Sequence, residues 1–393
     1  MAVFRSVAEH RCWAEIDLDA LRHNLDVLRR RIGDSVRVLA VVKADAYGHG
    51  ISEIVHGLSG RVEMFGVADL NEAMTLRRWV PAGRVLLLSP ALPSERAEIV
   101  RRGFVPTVSS LEEARAFGQL WEKETKLSSD AVTAREAFSV HVDIDTGMGR
   151  IGIPERTAVS VVKKIAALPG IMVSGISTHL PSADEDEVFT RAQLQAFASR
   201  LQKIRDSGLH VPVAHALHSA GAIGYSSEAH GMVRAGLMLY GCSPFPEFQP
   251  QLQPVMAFKT RVTLVRSVGP ERGISYGRTF VTDRAMKIAT LAVGYGDGYV
   301  RHLSGSGAAV LIRGKRCPLL GRVTMDQIMV DVSRIREVAP GEEVVLFGHQ
   351  MGNEILVSEI AERAGTIPWE IFTGISPRVR RVYRQKPMKL DPR

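Results

Sequence analysis

At 393 residues, with 45% hydrophobic and 23% charged side chains, the chain has the composition of a soluble globular protein and the length of two domains. No apolar run approaches the roughly 20 residues that span a bilayer, and the opening MAVFRSVAEHRCW lacks the apolar core of a secretory signal. Three distant cysteines (Cys12, Cys242, Cys317) exclude a disulfide framework and the usual zinc spacings and point to a reducing, cytoplasmic setting, while a net charge of +8 without a nucleic-acid motif reads as a solvated, mildly basic surface.

Asp17 is placed to cap a helix whose apolar positions Leu18, Leu21, Leu25, Leu28 and Ile32 share one face, with Gly33 as its stop. VRVLAVV (36–42) follows, a continuous apolar run rich in β-branched residues, as in a strand buried on both faces. The alternation recurs, with strand-like runs near 64–67, 85–88, 105–108, 138–143, 171–177, 213–217 and 232–236. Helical stretches such as 69–79, 109–122, 156–168 and 186–207 lie between them, although 222–232 shows no clear helix. Eight strands alternating with helices predict an α/β fold, a parallel (β/α)8 TIM barrel, with a doubly wound open sheet as the alternative. Four prolines in CSPFPEFQPQLQP (242–254) end the pattern. Beyond them VMAFKTRVTLVRSV, MKIATLAVGYGDGY, AAVLIRG and QIMVDVS are short, β-rich and separated by Gly turns, with one late helix near Val357–Ala364. The expected division is a barrel over 1–252 and a mostly β domain over 253–393.

Lys43, in VVKADAYGHG (41–50), stands at the end of the first barrel strand. The C-terminal strand ends of such barrels form the active-site face, and a partly desolvated lysine there can serve as a Schiff-base nucleophile. Taken alone it reads more simply as a lysine snorkelling out of a strand end, and Tyr47 and His49 beside it add little. In DIDTGMGRIG (143–152) the glycines permit a tight loop from which Arg150 can fork onto a carboxylate or phosphate, or merely face solvent; the spacing is not the GxGxxG fingerprint. STHL (177–180) and HALHSAGA (215–222) bring His179, His215 and His218 to strand ends, without the spacing or carboxylate partner of a metal site, so structural roles are expected and no metal. Arg234 lies inside the apolar run of MVRAGLMLYG (232–241) and needs an acceptor there. GISYGRTF (273–280), GYGDGYVR (294–301) and GRVTMDQ (321–327) are turn-rich, and β-turn chemistry suffices for each alone.

In combination, the order, spacing and identity of these segments resemble the alanine racemases over roughly residues 11–384. The resemblance implies a pyridoxal 5'-phosphate-binding barrel, a C-terminal β domain and a homodimer with shared active sites, with no nucleic-acid or membrane partner. It also implies an isomerase that interconverts L-alanine and D-alanine and either feeds D-alanine to peptidoglycan or catabolises it. Lys43 resembles the lysine that carries the cofactor and acts as one base, and Tyr276 resembles the second base, supplied by the other subunit. Two are needed because a proton leaves Cα on one face and returns on the other. By the same resemblance His179 supports Tyr276, and His215 backs Arg234, whose guanidinium can only donate to the pyridine nitrogen. Phosphate holding falls to Tyr47, Ser219 and the backbone of Gly236 and Leu237, and the substrate carboxylate to Arg150 and the Met325 N–H. Tyr295, Arg301 and Arg322 line the substrate's access path.

Three positions depart from the family pattern. Asp143 stands where many members carry a carbamylated lysine and is expected to supply the missing charge itself. His218 replaces an Asn before Ser219. Pro377 replaces a tyrosine that contacts the phosphate and narrows the entrance, which implies one contact fewer and keeps serine, or a broader range of small or basic amino acids, as the alternative substrates. Two further classes fit less well. A barrel-type decarboxylase of basic amino acids does not account for ISYGRTF and TMDQ, and a non-catalytic pyridoxal-phosphate carrier lacks the second domain.

Overall fold

A computed structural model of the chain describes residues 10–127 and 137–384. The first strand, Cys12–Asp17 (β1), runs into the helix Leu18–Ile32 (α1). Asp17 caps α1 as expected, its carboxylate accepting from the amides of Asp19 and Ala20, both at 2.9 Å, and Gly33 ends it with φ +80°. Leu21, Leu25 and Leu28 of its apolar face are buried.

Eight parallel strands then follow: Arg37–Val41 (β2), Met64–Val67 (β3), Val85–Leu87 (β4), Val105–Val108 (β5), Phe138–Asp145 (β6), Ile171–Ser177 (β7), Val213–His215 (β8) and Met232–Ala235 (β9). Each pairs with the next along β2 to β8, and β9 returns to pair with β2, setting Arg234 opposite Leu39. Isolated parallel bridges between Ala214 and Gly231 and between His218 and Arg234 join β8 to β9 and complete the ring. Sequential order with the last strand beside the first is the barrel, since an open doubly wound sheet reverses its order at a switch point. The weakest segment of the helical pattern, 222–232, holds the end of the short helix Ser219–Gly224 and a turn at Ser226–Glu228.

The second sheet is organised by one long strand, Met256–Val268, paired antiparallel with β1, Met286–Leu291 and Glu343–Gln350. Ala309–Ile312, Lys315–Leu320 and Ile328–Asp331 complete a closed set of six, and Arg380–Arg384 pairs with the outer side of β1. Thus β1 precedes the barrel in sequence and belongs to the second sheet in space. Its buried Glu15 is neutralised by Lys259 at 3.0 Å and Arg384 at 2.7 Å, and the Arg261 guanidinium lies 4.9 Å from the Trp13 ring. The expected late helix is Val357–Ala364; a second helix, Pro368–Thr373, follows it, opened by a proline where no amide is needed. Among the described residues no helix is long and apolar enough to cross a membrane.

Candidate active site

The C-terminal ends of the barrel strands gather most of the residues singled out in the sequence. Strand β2 stops at Val41, so Lys43 follows the strand rather than closing it, and the next four residues, Ala44 to Tyr47, all have φ between 52° and 54°. Such a left-handed turn is costly for residues with a Cβ, roughly 1–2 kcal/mol each, and persists only where its surroundings hold it. The Glu72 carboxylate accepts from the Ala44 amide at 2.6 Å and the Ala68 amide at 2.8 Å. Asp45 accepts from the Ile51 amide. His49 Nδ1 lies 3.0 and 2.9 Å from the carbonyls of Ala46 and Tyr47, so it carries the proton and donates. Arg381, from the second domain, donates to the Gly48 carbonyl at 3.0 Å. Lys43 is half-buried; desolvation and then the nearby Arg150 lower its pKa, and Glu72 opposes them.

Arg234 is buried, and both terminal nitrogens of its guanidinium are engaged. It donates to the carbonyls of His215 (2.7 Å), Thr178 (2.7 Å) and Ala216 (3.0 Å), and to the Nδ1 atoms of His215 (2.5 Å) and His179 (3.3 Å). Burial lowers its pKa to about 10, which still leaves it cationic at neutral pH. The neighbouring imidazoles are neutral: burial, seconded by Arg234, pushes His179 down to about 2 and His215 well below its ordinary value. His218 is structural in its contacts, since Nε2 donates to the Leu180 carbonyl and Nδ1 accepts from the Ala220 amide, capping the helix Ser219–Gly224. The described residues contain no cluster of three or more side chains that could hold a metal ion.

Strand β6 delivers Asp143 to the barrel interior and Arg150 to an exposed loop. The loop is folded by Asp145, whose carboxylate accepts from the amides of Gly147 and Gly149. Gly152, at φ +105°, passes so close to Asp143 that a Cβ there would lie 2.9 Å from the carboxylate. Asp143 accepts from the Ser177 hydroxyl at 2.6 Å, and no ion pair joins it to Arg150 or Arg234 among the described residues. Burial outweighs the field of those two cations and raises its pKa to about 6.

Ser219 Oγ accepts from the amides of Gly236 (3.0 Å) and Met238 (3.1 Å), so its own proton is left to donate elsewhere. The Tyr47 hydroxyl sits where a side chain on Gly236 would be, 2.6 Å from the position of its Cβ, and burial raises the Tyr47 pKa to about 12. Both hydroxyls are therefore neutral donors beside the backbone of Gly236 and Leu237.

The remaining residues lie on turns of the second domain. Tyr276 is 71% exposed, and Tyr295, Arg301 and Met325 are exposed as well. Arg322 packs its guanidinium against Gly277, and its carbonyl accepts from the Ser275 hydroxyl at 2.6 Å. The Tyr295 amide donates to Thr324 O and the Gly296 amide to Met325 O, tying the two turns together. Arg378 then clamps them, donating to Asp297 and Asp326, both at 2.7 Å. Within one chain these hydrogen bonds stay in the second domain, and none reaches Lys43.

The sequence reading overlooked Glu72, His141, Arg378 and Arg381. For His141 a signal existed: FSVHVDID alternates apolar residues with Ser139, His141, Asp143 and Asp145 on the other face, and of these His141 and Asp143 are buried.

Family profiles described as "Alanine racemase, N-terminal domain" and "Alanine racemase, C-terminal domain" match residues 16–244 and 255–383. A curated alanine racemase from Halothermothrix orenii is 41% identical over 378 residues, 95% of this chain and 97% of that protein. The solved alanine racemase of Clostridium difficile 630 aligns with a TM-score of 0.87 at 32% identity, covering 96% of this chain and 97% of its own. That of Bacillus anthracis with bound L-Ala-P aligns with a TM-score of 0.81 at 33% identity, covering 96% of each. Matched through both domains in sequence and in fold, the chain belongs to the alanine racemase family.

Proposed function

We propose that the protein is a cytoplasmic, homodimeric, pyridoxal-phosphate-dependent enzyme that interconverts L- and D-alanine by a two-base mechanism and supplies D-alanine for peptidoglycan. The observation that carries this reading is the convergence, at one end of the barrel, of four groups with separate chemical uses. Lys43 is an amine of lowered pKa, Arg150 an exposed cation close enough to depress it, Arg234 a buried donor-only guanidinium, and Ser219 and Tyr47 a cradle of neutral hydroxyls.

The donor set fits pyridoxal phosphate. A phosphate needs donors without competing negative charge, and Ser219, Tyr47 and the Gly236–Leu237 backbone provide them. A pyridine nitrogen facing Arg234 receives a hydrogen bond and no proton, because guanidinium does not release one. When bound, the cofactor supplies the electron sink that makes Cα–H acidic enough to remove.

Around it, Lys43 Nζ holds or removes a proton on one face of Cα, and the partner's equivalent of Tyr276 does so on the other. A tyrosine of ordinary pKa, about 10, is a weak base at neutral pH, and the neutral ring of His179 supports it by hydrogen bonding. Arg150 and the Met325 amide orient the substrate carboxylate, with Asp143 acting on Arg150 through space. Tyr295, Arg301 and Arg322 line the approach.

The test is a panel of L-amino acids, including serine and lysine, incubated with the purified holoenzyme and read by chiral product analysis. L-Alanine should give D-alanine fastest; loss of carbon dioxide, or turnover of other residues but not alanine, overturns the proposal. Lys43→Ala should abolish the visible absorption of the covalently held cofactor.

A further inference from the structure

We propose that His141 is a positioning residue for Arg234: it terminates a buried, one-way hydrogen-bond chain from Arg234 to His215 to His141 that leaves His215 a single tautomer and holds the guanidinium at a fixed tilt. The direction of the chain follows from what arginine lacks. A guanidinium has donors and no acceptor, so where Arg234 NH1 meets His215 Nδ1 at 2.5 Å the imidazole must present a lone pair. A neutral ring with a bare Nδ1 carries its proton on Nε2. His215 Nε2 faces His141 Nδ1 at 2.9 Å, so His141 in turn accepts on Nδ1 and carries its proton on Nε2. Both rings are buried, and desolvation together with the Arg234 charge keeps them neutral, with His141 lowered to about 3.

The backbone is shaped around this ring. Along β6 and β7, Val140 faces Val173 while the next residue, His141, faces Gly175, so Ser174 is an extra residue in the ladder. A Cβ at Gly175 would lie 2.5–2.6 Å from three atoms of the His141 imidazole. A bulge and a glycine thus both make room for one polar ring inside the barrel. A core position serving packing alone is filled more simply by an aliphatic side chain.

The geometric claim stands without the cofactor; its catalytic consequence rests on the reading of Arg234 as the ring-nitrogen donor. If the chain sets the tilt of Arg234, losing its last acceptor strands the His215 Nε2 proton in a dry interior and loosens the guanidinium. Two variants separate this from packing. His141→Asn keeps an acceptor where Nδ1 lies, whereas His141→Leu keeps bulk and loses the acceptor. His141→Leu should lose roughly 10- to 100-fold in kcat, with the KM for alanine little changed because the carboxylate is held by Arg150. His141→Asn should retain most of the activity. Leu equal to Asn, or better, overturns the proposal.

Imidazole nitrogen NMR of the wild-type protein, with and without cofactor, provides the second readout and does not depend on either variant folding. The proposal requires protons on Nε2 of both His215 and His141; a proton on His215 Nδ1, or a charged ring, refutes it. A wild-type protein with these tautomers but no alanine racemisation would instead overturn the proposed function and leave the chain standing.

Discussion

Asp143→Asn separates electrostatics from packing at the centre of the site. The carboxylate is buried, keeps one hydrogen bond from Ser177, and has its pKa lifted from 3.8 to about 6 because desolvation exceeds the attraction of Arg234 and Arg150. With the native pKa above the unfolded one, the native state binds more protons between them, and stability falls as pH rises through that window. The cost is absent below about pH 3.8 and complete above about pH 6. A shift of roughly two units corresponds to about 3 kcal/mol. Asparagine preserves the acceptor for Ser177 and removes the charge. The variant should therefore exceed wild type in stability by up to about 3 kcal/mol at pH 8 and by little at pH 4. Urea unfolding at pH 4, 6 and 8, with cofactor held constant, measures the difference. An asparagine variant no more stable at pH 8, or one whose gain does not shrink toward pH 4, refutes the reasoning. Function should move the opposite way. Losing the charge that acts on Arg150 raises the KM for alanine at pH 8, and the two proteins converge near pH 5, where the wild-type carboxyl is itself mostly protonated.

Tyr276→Phe removes the proposed second base, and racemisation should fall by roughly 10²- to 10⁴-fold. Solvent deuterium should still enter Cα of the enantiomer served by Lys43; wild-type rates in both directions would sink the two-base model. Glu72→Gln withdraws the one charge that favours the Lys43 ammonium and leaves a single acceptor for the amides of Ala44 and Ala68. Lys43 of the cofactor-free protein should then react with an amine-directed acylating reagent at lower pH than in wild type, and an unchanged pH profile counts against any influence of Glu72.

The barrel was legible because its signal is local. Eight apolar runs with β-branched residues, separated by helical periodicities, give the strands with ends displaced by a residue or two: β8 stops at His215 rather than 217, and β6 continues to Asp145. What escaped depends on contacts between distant segments. Nothing in ADAY announces a left-handed turn, because Glu72 and Arg381 hold it from elsewhere in the chain. The sequence CWAEID reads as the start of the first domain, while its partners lie at 256–260 and 380–384. The helix Pro368–Thr373 is too short to show a period, and its Phe372 ring packs on His49. Arg234 was legible as a charge in need of acceptors; that three of them are carbonyls at the ends of β7 and β8 required the ring to close.

On the proposed two-base reading, a division of the site between two bodies follows from the reaction. A barrel end approaches a flat, cofactor-bound Cα from the side on which Lys43 stands, and a base for the other side must come from a separate surface. The second domain carries such a surface: Tyr276 is exposed, yet its turn is fixed by the Ser275–Arg322 hydrogen bond, and the neighbouring turns are locked by Arg378 on Asp297 and Asp326. On the proposed reading, these firmly held turns, which present tyrosine and methionine to solvent, are the surface that meets the second copy. If they meet it at its barrel end, cofactor binding and racemisation must separate on dissociation, because Lys43, Tyr47, Ser219 and Arg234 belong to one chain and Tyr276 to the other. Progressive dilution, or a charge placed on the exposed face beside Tyr276, should abolish racemisation while the visible absorption of the bound cofactor persists. Loss of both together would mean that the cofactor cradle itself spans the interface, and undiminished turnover by a demonstrated monomer would mean that a single chain holds both bases.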